Sequence, residues 1–204
     1  NYSLAWEDGS GSSDFSDILI QAQLTEQPIP SGASLQSNSQ SEILDFRSLS
    51  GKQINAEFTV HREAGFNNYV GFYQISNPQG TIADSLTGVS LNPGDLGYVE
   101  AAVRNRITGI DLQVANQSTA VTSGVFTGGS LFAPFMIANG SPSQILDADR
   151  GNDPIVYFAF LGANADGVDH IRLLGDNAFG FEDLPRGGDF DYNDMIVRMK
   201  LTVV

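Results

Sequence analysis

Residues 181–204 read FEDLPRGGDFDYNDMIVRMKLTVV. The first part of this stretch is acidic and rich in turn-forming residues, and the second part alternates apolar with polar side chains. Side chains of a β-strand point alternately to its two faces, so one face would carry Met195, Val197, Met199 and Leu201. The stretch therefore predicts a polar loop that leads directly into a half-buried strand.

A weaker copy of the same pattern lies near the N-terminus, where the chain reads WEDGSGSSDFSDILIQAQL. Aligning Asp17 with Asp194 also aligns Asp14 with Asp191, and the apolar residues that follow in the two copies then alternate in phase. Two related units of loop and strand are therefore predicted, at residues 6–24 and 181–203.

Composition indicates one folded domain over residues 1–204. Hydrophobic residues make up 41% of the chain, which argues against disorder. The 24 acidic and 10 basic residues give a formal net charge of −14, which repels nucleic-acid phosphates and anionic lipid surfaces. No apolar run reaches the roughly 18 residues of a membrane-spanning helix. We expect no nucleic-acid partner and no membrane insertion.

Short alternating stretches between Gly, Asn, Asp, Ser and Pro clusters are typical of an antiparallel all-β domain. Strands are predicted at residues 3–6, 18–24, 53–61, 69–76, 109–114, 155–160, 170–174 and 195–203, with a further buried strand within 128–140. Helical spacing after a Pro-Gly turn predicts one short helix near 95–106. Residues 25–41 are predicted to be an extended connection. The expected fold is an antiparallel β-sandwich, jelly-roll-like, with that one helix.

The C-terminal loop has the composition of a calcium site. Calcium takes six to eight oxygen ligands, and alternate residues of a tight loop can direct side-chain oxygens to one centre. Such alternation is seen in Asp189, Asp191 and Asn193, while the other candidate ligands are Glu182, Asp183 and Asp194. The chain has no Cys and two His, which disfavours zinc and copper. The spacing does not match an EF-hand, and a strand follows instead of a helix.

A metal-free turn is the alternative to a cation at each acidic loop. Asp, Asn and Gly also form metal-free turns closed by side-chain hydrogen bonds. The N-terminal copy has fewer ligand oxygens, and its candidate ligands are Glu7, Asp8, Asp14 and Asp17. A third cluster, formed by Asp147, Asp149 and Asp153, contains Arg150 and reads equally well as a solvated turn.

No catalytic residue is predicted. The chain has no thiol nucleophile, no Gly-x-Ser-x-Gly elbow and no His beside a recognisable Ser motif. His170 follows Asp169 and begins an apolar segment, which favours a hydrogen-bonded structural role. We therefore expect calcium as the only cofactor and no enzymatic activity.

Several motifs of the C-terminal part occur together. They are Asn164-Ala165-Asp166-Gly167, Asp169-His170-Ile171, Phe179-Gly180-Phe181-Glu182-Asp183-Leu184, Gly187-Gly188-Asp189 and Asp191-Tyr192-Asn193-Asp194-Met195-Ile196-Val197. Together they resemble the family named domain of unknown function 4114, which occurs in secreted and surface proteins of cyanobacteria and other bacteria. The resemblance implies an extracellular β-rich domain with a calcium loop at Asp189, Asp191, Asn193 and Asp194. It implies no activity.

These observations favour a secreted, non-enzymatic, calcium-binding structural or adhesive protein of the cell surface or extracellular matrix. Related strands at both termini suggest a homo-oligomer or a head-to-tail fibre, with both strands packed side by side in one monomer as the alternative. The competing interpretation is a calcium-dependent carbohydrate-binding module that engages an extracellular glycan. The aromatic residues considered for it are Trp6, Tyr69, Tyr73 and Tyr192.

Overall fold

The computed structural model describes residues 2–6, 18–22 and 42–204. The chain divides into two compact units, Asn1–Pro30 and Ser31–Val204. In the first unit, strands β1 (Tyr2–Trp6) and β2 (Ile18–Ala22) pair antiparallel, with Trp6 opposite Ile18. Both strands lie where the sequence predicts them. The predicted connection over residues 25–41 lies outside the described residues.

The second unit is built from antiparallel strands and two short helices. Its strands are β3 (Leu44–Asp45), β4 (Gln53–Arg62), β5 (Tyr69–Ile75), β6 (Ile82–Ala83), β7 (Ser90–Leu91), β8 (Ser118–Thr127), β9 (Leu131–Ile137), β10 (Val156–Phe158), β11 (Ile171–Gly175), β12 (Ala178–Phe181) and β13 (Met195–Val203). The helices are α1 (Tyr98–Arg104) and α2 (Pro142–Leu146), and 3-10 turns occur at Arg47–Leu49, Leu161–Ala163 and Pro185–Gly187.

Five of these strands form one sheet in the order β11-β12-β13-β4-β8. Burial alternates along β4 and β13, because one face of the sheet packs on the core and the other faces solvent. Ile54, Phe58 and Val197 lie on the buried face. The alternating sequence pattern therefore placed the core face of this sheet correctly.

The second sheet is centred on β9. Strand β5 pairs with one side of β9, and β3 and β10 share the other side. Every residue of β9 is buried, since the five-stranded sheet covers one face of this sheet and α1 and α2 lie over the other. Pro134 falls between the residues that pair with β3 and those that pair with β10, where a missing N–H disturbs neither ladder.

Aromatic rings fill the space between the two sheets. Phe72 of the second sheet meets Phe126 edge-on at a centroid distance of 5.6 Å and Phe179 at 6.1 Å, both from the five-stranded sheet. Such edge-to-face contacts add to the free energy gained by burying the rings. The molecule is therefore an all-β antiparallel sandwich, as predicted.

The structure lacks one predicted strand and contains elements that the sequence did not predict, among them β8, β12 and α2. Residues 109–114 form no strand; Ile110 and Leu112 are buried, yet only a single bridge joins Leu112 to Val70. Gly109 adopts a positive φ of 86° in a turn, which interrupts the extended backbone. Helix α2 follows a capping box at Ser141 and Gln144 that the sequence analysis missed. No described helix is long and apolar enough to cross a bilayer.

Candidate metal centre

The acidic loop of residues 182–194 connects β12 to β13, two neighbouring strands of the five-stranded sheet. Phe181 and Asn193 form a bridge where the loop returns. The backbone N–H groups of Gly187 and Phe190 donate to carbonyl oxygens within the loop, over 3.2 and 2.8 Å. The loop is thus folded back on itself, with its two ends held side by side.

Left-handed backbone conformations compact the loop. Positive φ angles occur at Arg186, Gly187, Gly188, Phe190 and Tyr192. At Gly188 a Cβ atom would lie 2.2 Å from Oε1 of Glu182. Only glycine leaves enough space for the backbone to approach this carboxylate so closely.

The structure brings together the five carboxylates that the sequence analysis proposed for this loop. Side-chain oxygens of Glu182, Asp183 and Asp194 lie within 4.8 Å of one another, and so do those of Glu182, Asp189 and Asp191. Two oxygens bound to one calcium ion at 2.3–2.6 Å are separated by at most about 5 Å. Glu182 belongs to both groups and is therefore the centre of the arrangement.

Glu182 is almost completely buried, with 1% of its surface exposed. Its Oε2 atom is buried and has no hydrogen-bond partner among the described residues. Burial raises the pKa of Glu182, and the nearby Asp194 carboxylate raises it further. A buried carboxylate oxygen without a donor is unfavourable, so it requires either a proton or a cation.

Asp183, which is buried, and Asp194, which is half-buried, form the inner side of the cluster. The Asn68 amide donates to Asp183 Oδ2 over 2.6 Å, and the backbone N–H of Asp183 donates to Asp194 Oδ2 over 2.7 Å. Burial raises the pKa of Asp194; the charges of Asp183 and Asp191 add to this rise, and the Asp183 N–H opposes it. Two donors thus orient these carboxylates without neutralising their charge.

Asp189 and Asp191 form the exposed side of the cluster. Asn193 donates to Asp191 twice, through its backbone N–H at 3.1 Å and its side-chain amide at 2.6 Å. In this structure Asn193 therefore orients Asp191 through nitrogen atoms. Because Asp189 and Asp191 lie next to solvent, a cation bound by them would have room for water molecules in its coordination shell.

The negative charges of the cluster are not balanced by protein cations. Across residues 42–204, no ion pair involves any of the five carboxylates. Arg186 lies in the loop, and its backbone N–H donates to Asp166 over 2.8 Å. Like charges at this separation repel one another strongly in a partly buried site.

Four residues outside the loop support it: His170, Asp166, Tyr157 and Asn68. His170 is fully buried, and its ring nitrogens lie 2.9 Å from the Glu182 carbonyl oxygen and 3.0 Å from Asp166 Oδ2. Its ring stacks on Tyr157 at a centroid distance of 3.6 Å. This agrees with the predicted structural role of His170. Asp166 occurs in one of the motifs quoted above, but no sequence signal marked Tyr157 or Asn68.

The sequence contains two other acidic clusters. The N-terminal candidates Glu7, Asp8, Asp14 and Asp17 lie outside the described residues. In the third cluster, backbone N–H groups donate to Asp147 and Asp149, and Arg150 pairs with Asp153 at 3.3 Å and with Glu100 at 2.7 Å. The third cluster therefore has the hydrogen bonding of a closed surface turn.

The aromatic residues considered for glycan binding are mostly core residues. Tyr69, Tyr73 and Tyr192 are 3%, 0% and 2% exposed. Tyr73 packs edge-on against Tyr98, and the Tyr192 ring lies under the Arg172 guanidinium at 4.0 Å. Trp6 lies in β1. These three tyrosines therefore offer no exposed ring on which a sugar could stack.

Comparison with curated proteins gave no match, and comparison with solved structures gave none. A protein-family model described as "Domain of unknown function (DUF4114)" matches residues 126–202. This segment extends from the end of β8 to β13 and contains the whole acidic loop. Residues 126–202 therefore match the model of the same family, domain of unknown function 4114, that their motifs resemble.

Proposed function

We propose that this protein is a secreted, non-enzymatic calcium-binding protein with a structural or adhesive role at the cell surface or in the extracellular matrix. One observation carries the proposal: among the described residues, no group donates a hydrogen bond to the buried Oε2 atom of Glu182, which lies at the centre of five carboxylates. A divalent cation would satisfy this oxygen and offset the repulsion between the neighbouring charges.

The donor set favours calcium over other metals. All candidate ligand atoms are oxygens, and carboxylate-rich sites that adjoin solvent suit hard cations. Calcium accepts irregular shells of six to eight ligands, whereas magnesium demands a nearly ideal octahedron. The two groups of carboxylates around Glu182 form an irregular set of this kind.

A structural role is favoured by what the ligands connect. Glu182 and Asp183 follow β12, Asp194 precedes β13, and Asp183 is hydrogen-bonded to Asn68 just before β5 of the second sheet. A cation held here would tie two strands of one sheet together and brace their contact with the other. Calcium would then stabilise the folded state by mass action at extracellular concentrations.

Thermal unfolding with calcium and with a chelator tests the proposal. Calcium at about 100 times its Kd would stabilise the protein by about 2.7 kcal/mol, which raises Tm by roughly 5–10 °C for a chain of this size. Magnesium at the same concentration should raise Tm less. An unchanged Tm across calcium and chelator would exclude a calcium site.

Glu182→Gln tests whether calcium raises Tm by binding at this site or by acting on the overall charge of the protein. The variant should lose the calcium-dependent rise in Tm, and it should be no less stable than the wild type in chelator because a buried charge has been removed. Glu57→Gln makes the same chemical change at an exposed position of β4. It should keep the full response to calcium.

Assembly through terminal strands is part of the proposed structural role. The hairpin β1–β2 is a two-stranded sheet in the described residues, and such hairpins are marginally stable alone. Pairing with a neighbouring subunit would complete it and extend a fibre. Electron microscopy of the purified protein should then show filaments; a strictly monomeric protein at all calcium concentrations would contradict this part.

Binding to an extracellular glycan has less support, because the tyrosines expected to form the groove are buried. A glycan screen with calcium and with chelator separates the two interpretations. Binding to a defined sugar only with calcium would favour the carbohydrate-binding module over a purely structural protein.

A further inference from the structure

Strand β8 (Ser118–Thr127) is one edge of the five-stranded sheet. It pairs along all ten residues with β4, from Ser118 opposite Arg62 to Thr127 opposite Gln53. Within the part of the chain that the structure describes, no strand pairs with its other side. The strand is also exposed on most of its length, with Val121 64% and Val125 47% accessible.

The register shows which backbone groups of β8 point outward. The backbone N–H and C=O groups of Gln53 in β4 both bond to Val204, over 3.3 and 2.8 Å. Thr127, which lies opposite Gln53 in β8, therefore makes no backbone hydrogen bond to it. One residue further, the Gly128 N–H donates to the Lys52 oxygen over 2.9 Å. Hydrogen bonding alternates along an antiparallel strand. Among the described residues, the N–H and C=O groups of β8 without a ladder partner therefore belong to Thr119, Val121, Ser123, Val125 and Thr127.

This edge lacks the features that usually prevent edge-to-edge pairing. The ten residues of β8 include no charged residue and no Pro. The opposite edge, β11, is five residues long and has an irregular register between Leu173 and Gly175. The Glu42 side chain also accepts a hydrogen bond from the Leu173 backbone. Only the β8 edge is thus long, neutral and uncapped among the described strands of this sheet.

The five residues of β8 whose backbone groups point away from β4 form a palindrome. Reading Thr119, Val121, Ser123, Val125 and Thr127 in either direction gives Thr-Val-Ser-Val-Thr. An antiparallel copy centred on Ser123 would place Val121 opposite Val125 and Thr119 opposite Thr127, each pair occurring twice. Cross-strand pairs of β-branched residues are favourable on a sheet.

We propose that β8 is the interface of a symmetric dimer, in which two copies of this chain join their five-stranded sheets edge to edge about a twofold axis at Ser123. Five residues on each copy would contribute about ten backbone hydrogen bonds. The contact is isologous, because the same strand serves both partners. It depends neither on calcium nor on the terminal strands, so it extends the proposed function independently.

Sedimentation velocity over a range of protein concentrations tests the dimer with a pair of matched variants. Val121→Lys with Val125→Lys places like charges opposite each other twice, and dimer affinity should fall at least about tenfold. This change alters the formal charge from −14 by +2 to −12, so a general reduction of repulsion cannot explain the loss. Val121→Lys with Val125→Glu places opposite charges in register, and it should restore the dimer.

A cysteine cross-link tests the register independently. The chain has no Cys, so Ser123→Cys introduces a single thiol. Hydrogen-bonded partners have Cα atoms about 5.5 Å apart, within the range of a disulfide. Mild oxidation should therefore yield a covalent dimer of Ser123→Cys. Thr202→Cys, exposed on the same sheet face at β13, should yield far less.

Each result bears on the dimer directly. A wild-type protein that stays monomeric to near-millimolar concentration would overturn the proposal. Oligomers that persist unchanged with Lys at both positions would overturn it too, and would locate assembly elsewhere, such as at the terminal strands. Equal cross-linking of Ser123→Cys and Thr202→Cys would do the same.

Discussion

Gly188 and Glu182 are in such close contact that a Cβ on the glycine would lie 2.2 Å from Oε1 of the glutamate. The contact spans the acidic loop and sets the distance between the turn and the buried carboxylate. Because Glu182 belongs to both groups of carboxylates, the position of this one side chain determines whether the groups can act together.

Gly188→Ala should therefore abolish the calcium response without removing a ligand. The new methyl group would displace the Glu182 carboxylate, and alanine is also strained at a φ of +48°. We expect the calcium-dependent rise in Tm to disappear. Gly51→Ala is the control, because Gly51 has φ +79° and nothing within 4 Å of its added Cβ. That variant should lose about 1 kcal/mol of stability yet keep the calcium response.

Asn68→Ala tests the link between the loop and the second sheet. Asn68 is 1% exposed and donates to Asp183 Oδ2 over 2.6 Å, while its own oxygen accepts from the Asn139 N–H. Loss of a buried hydrogen bond to a charged group costs about 1.5–3 kcal/mol. Urea unfolding should show this loss in chelator. A stability within about 0.5 kcal/mol of the wild type would show that the Asn68–Asp183 contact contributes little.

Glu42→Gln should change how stability depends on pH. Burial and the neighbouring Asp169 charge raise the pKa of Glu42 from 4.5 to about 7. When folding raises the pKa of a group, that group stabilises the folded state fully at pH values below its pKa in the unfolded chain. This contribution is lost as the pH rises through its pKa in the folded state. The wild type should therefore lose stability between about pH 4.5 and 7.

The glutamine variant should show a flatter profile over this range, measured by denaturant unfolding at each pH. The difference should stay below the limit of about 1.4 kcal/mol per pH unit, since Glu42 is only half-buried and solvent screens its charge. Glu57→Gln, at an exposed position, should retain the wild-type profile. Identical profiles for wild type and Glu42→Gln would contradict the assignment.

The parts of the site that could be predicted from the sequence depend on local patterns. The acidic composition of the loop predicted candidate ligands at Glu182, Asp183 and Asp194, which the structure brings close together, and the alternating residues after the loop predicted the strand β13. The partner of Asp183, however, is Asn68, 115 residues earlier in the chain. Its position is set by how the two sheets pack, which no local pattern encodes.

The edge strand shows a different limit. Strand β8 was not predicted, because an edge exposed on both faces needs no apolar alternation, and only Phe126 of its ten residues is buried. Residues 109–114 were predicted as a strand because apolar and polar residues alternate along them. Their alternation buries Ile110 and Leu112 in a segment that pairs through a single bridge.

Two proline substitutions in neighbouring positions of β8 test the direction of its hydrogen bonds. The register assigns the Thr122 N–H to the ladder with β4 and the Ser123 N–H to the free edge. Thr122→Pro should lose about 1–3 kcal/mol, because it removes a ladder hydrogen bond and leaves the acceptor without a donor. Ser123→Pro should unfold much closer to the wild type, since proline is tolerated where an edge N–H faces solvent.

Ser123→Pro should also prevent dimer formation, because the pair centred on the twofold axis would lose a donor from each copy. Urea unfolding at low concentration measures the first effect, and sedimentation at high concentration measures the second. If Ser123→Pro proved as destabilising as Thr122→Pro, the outward direction of the Ser123 N–H would be wrong. The interface centred on it would then have no free backbone groups to use.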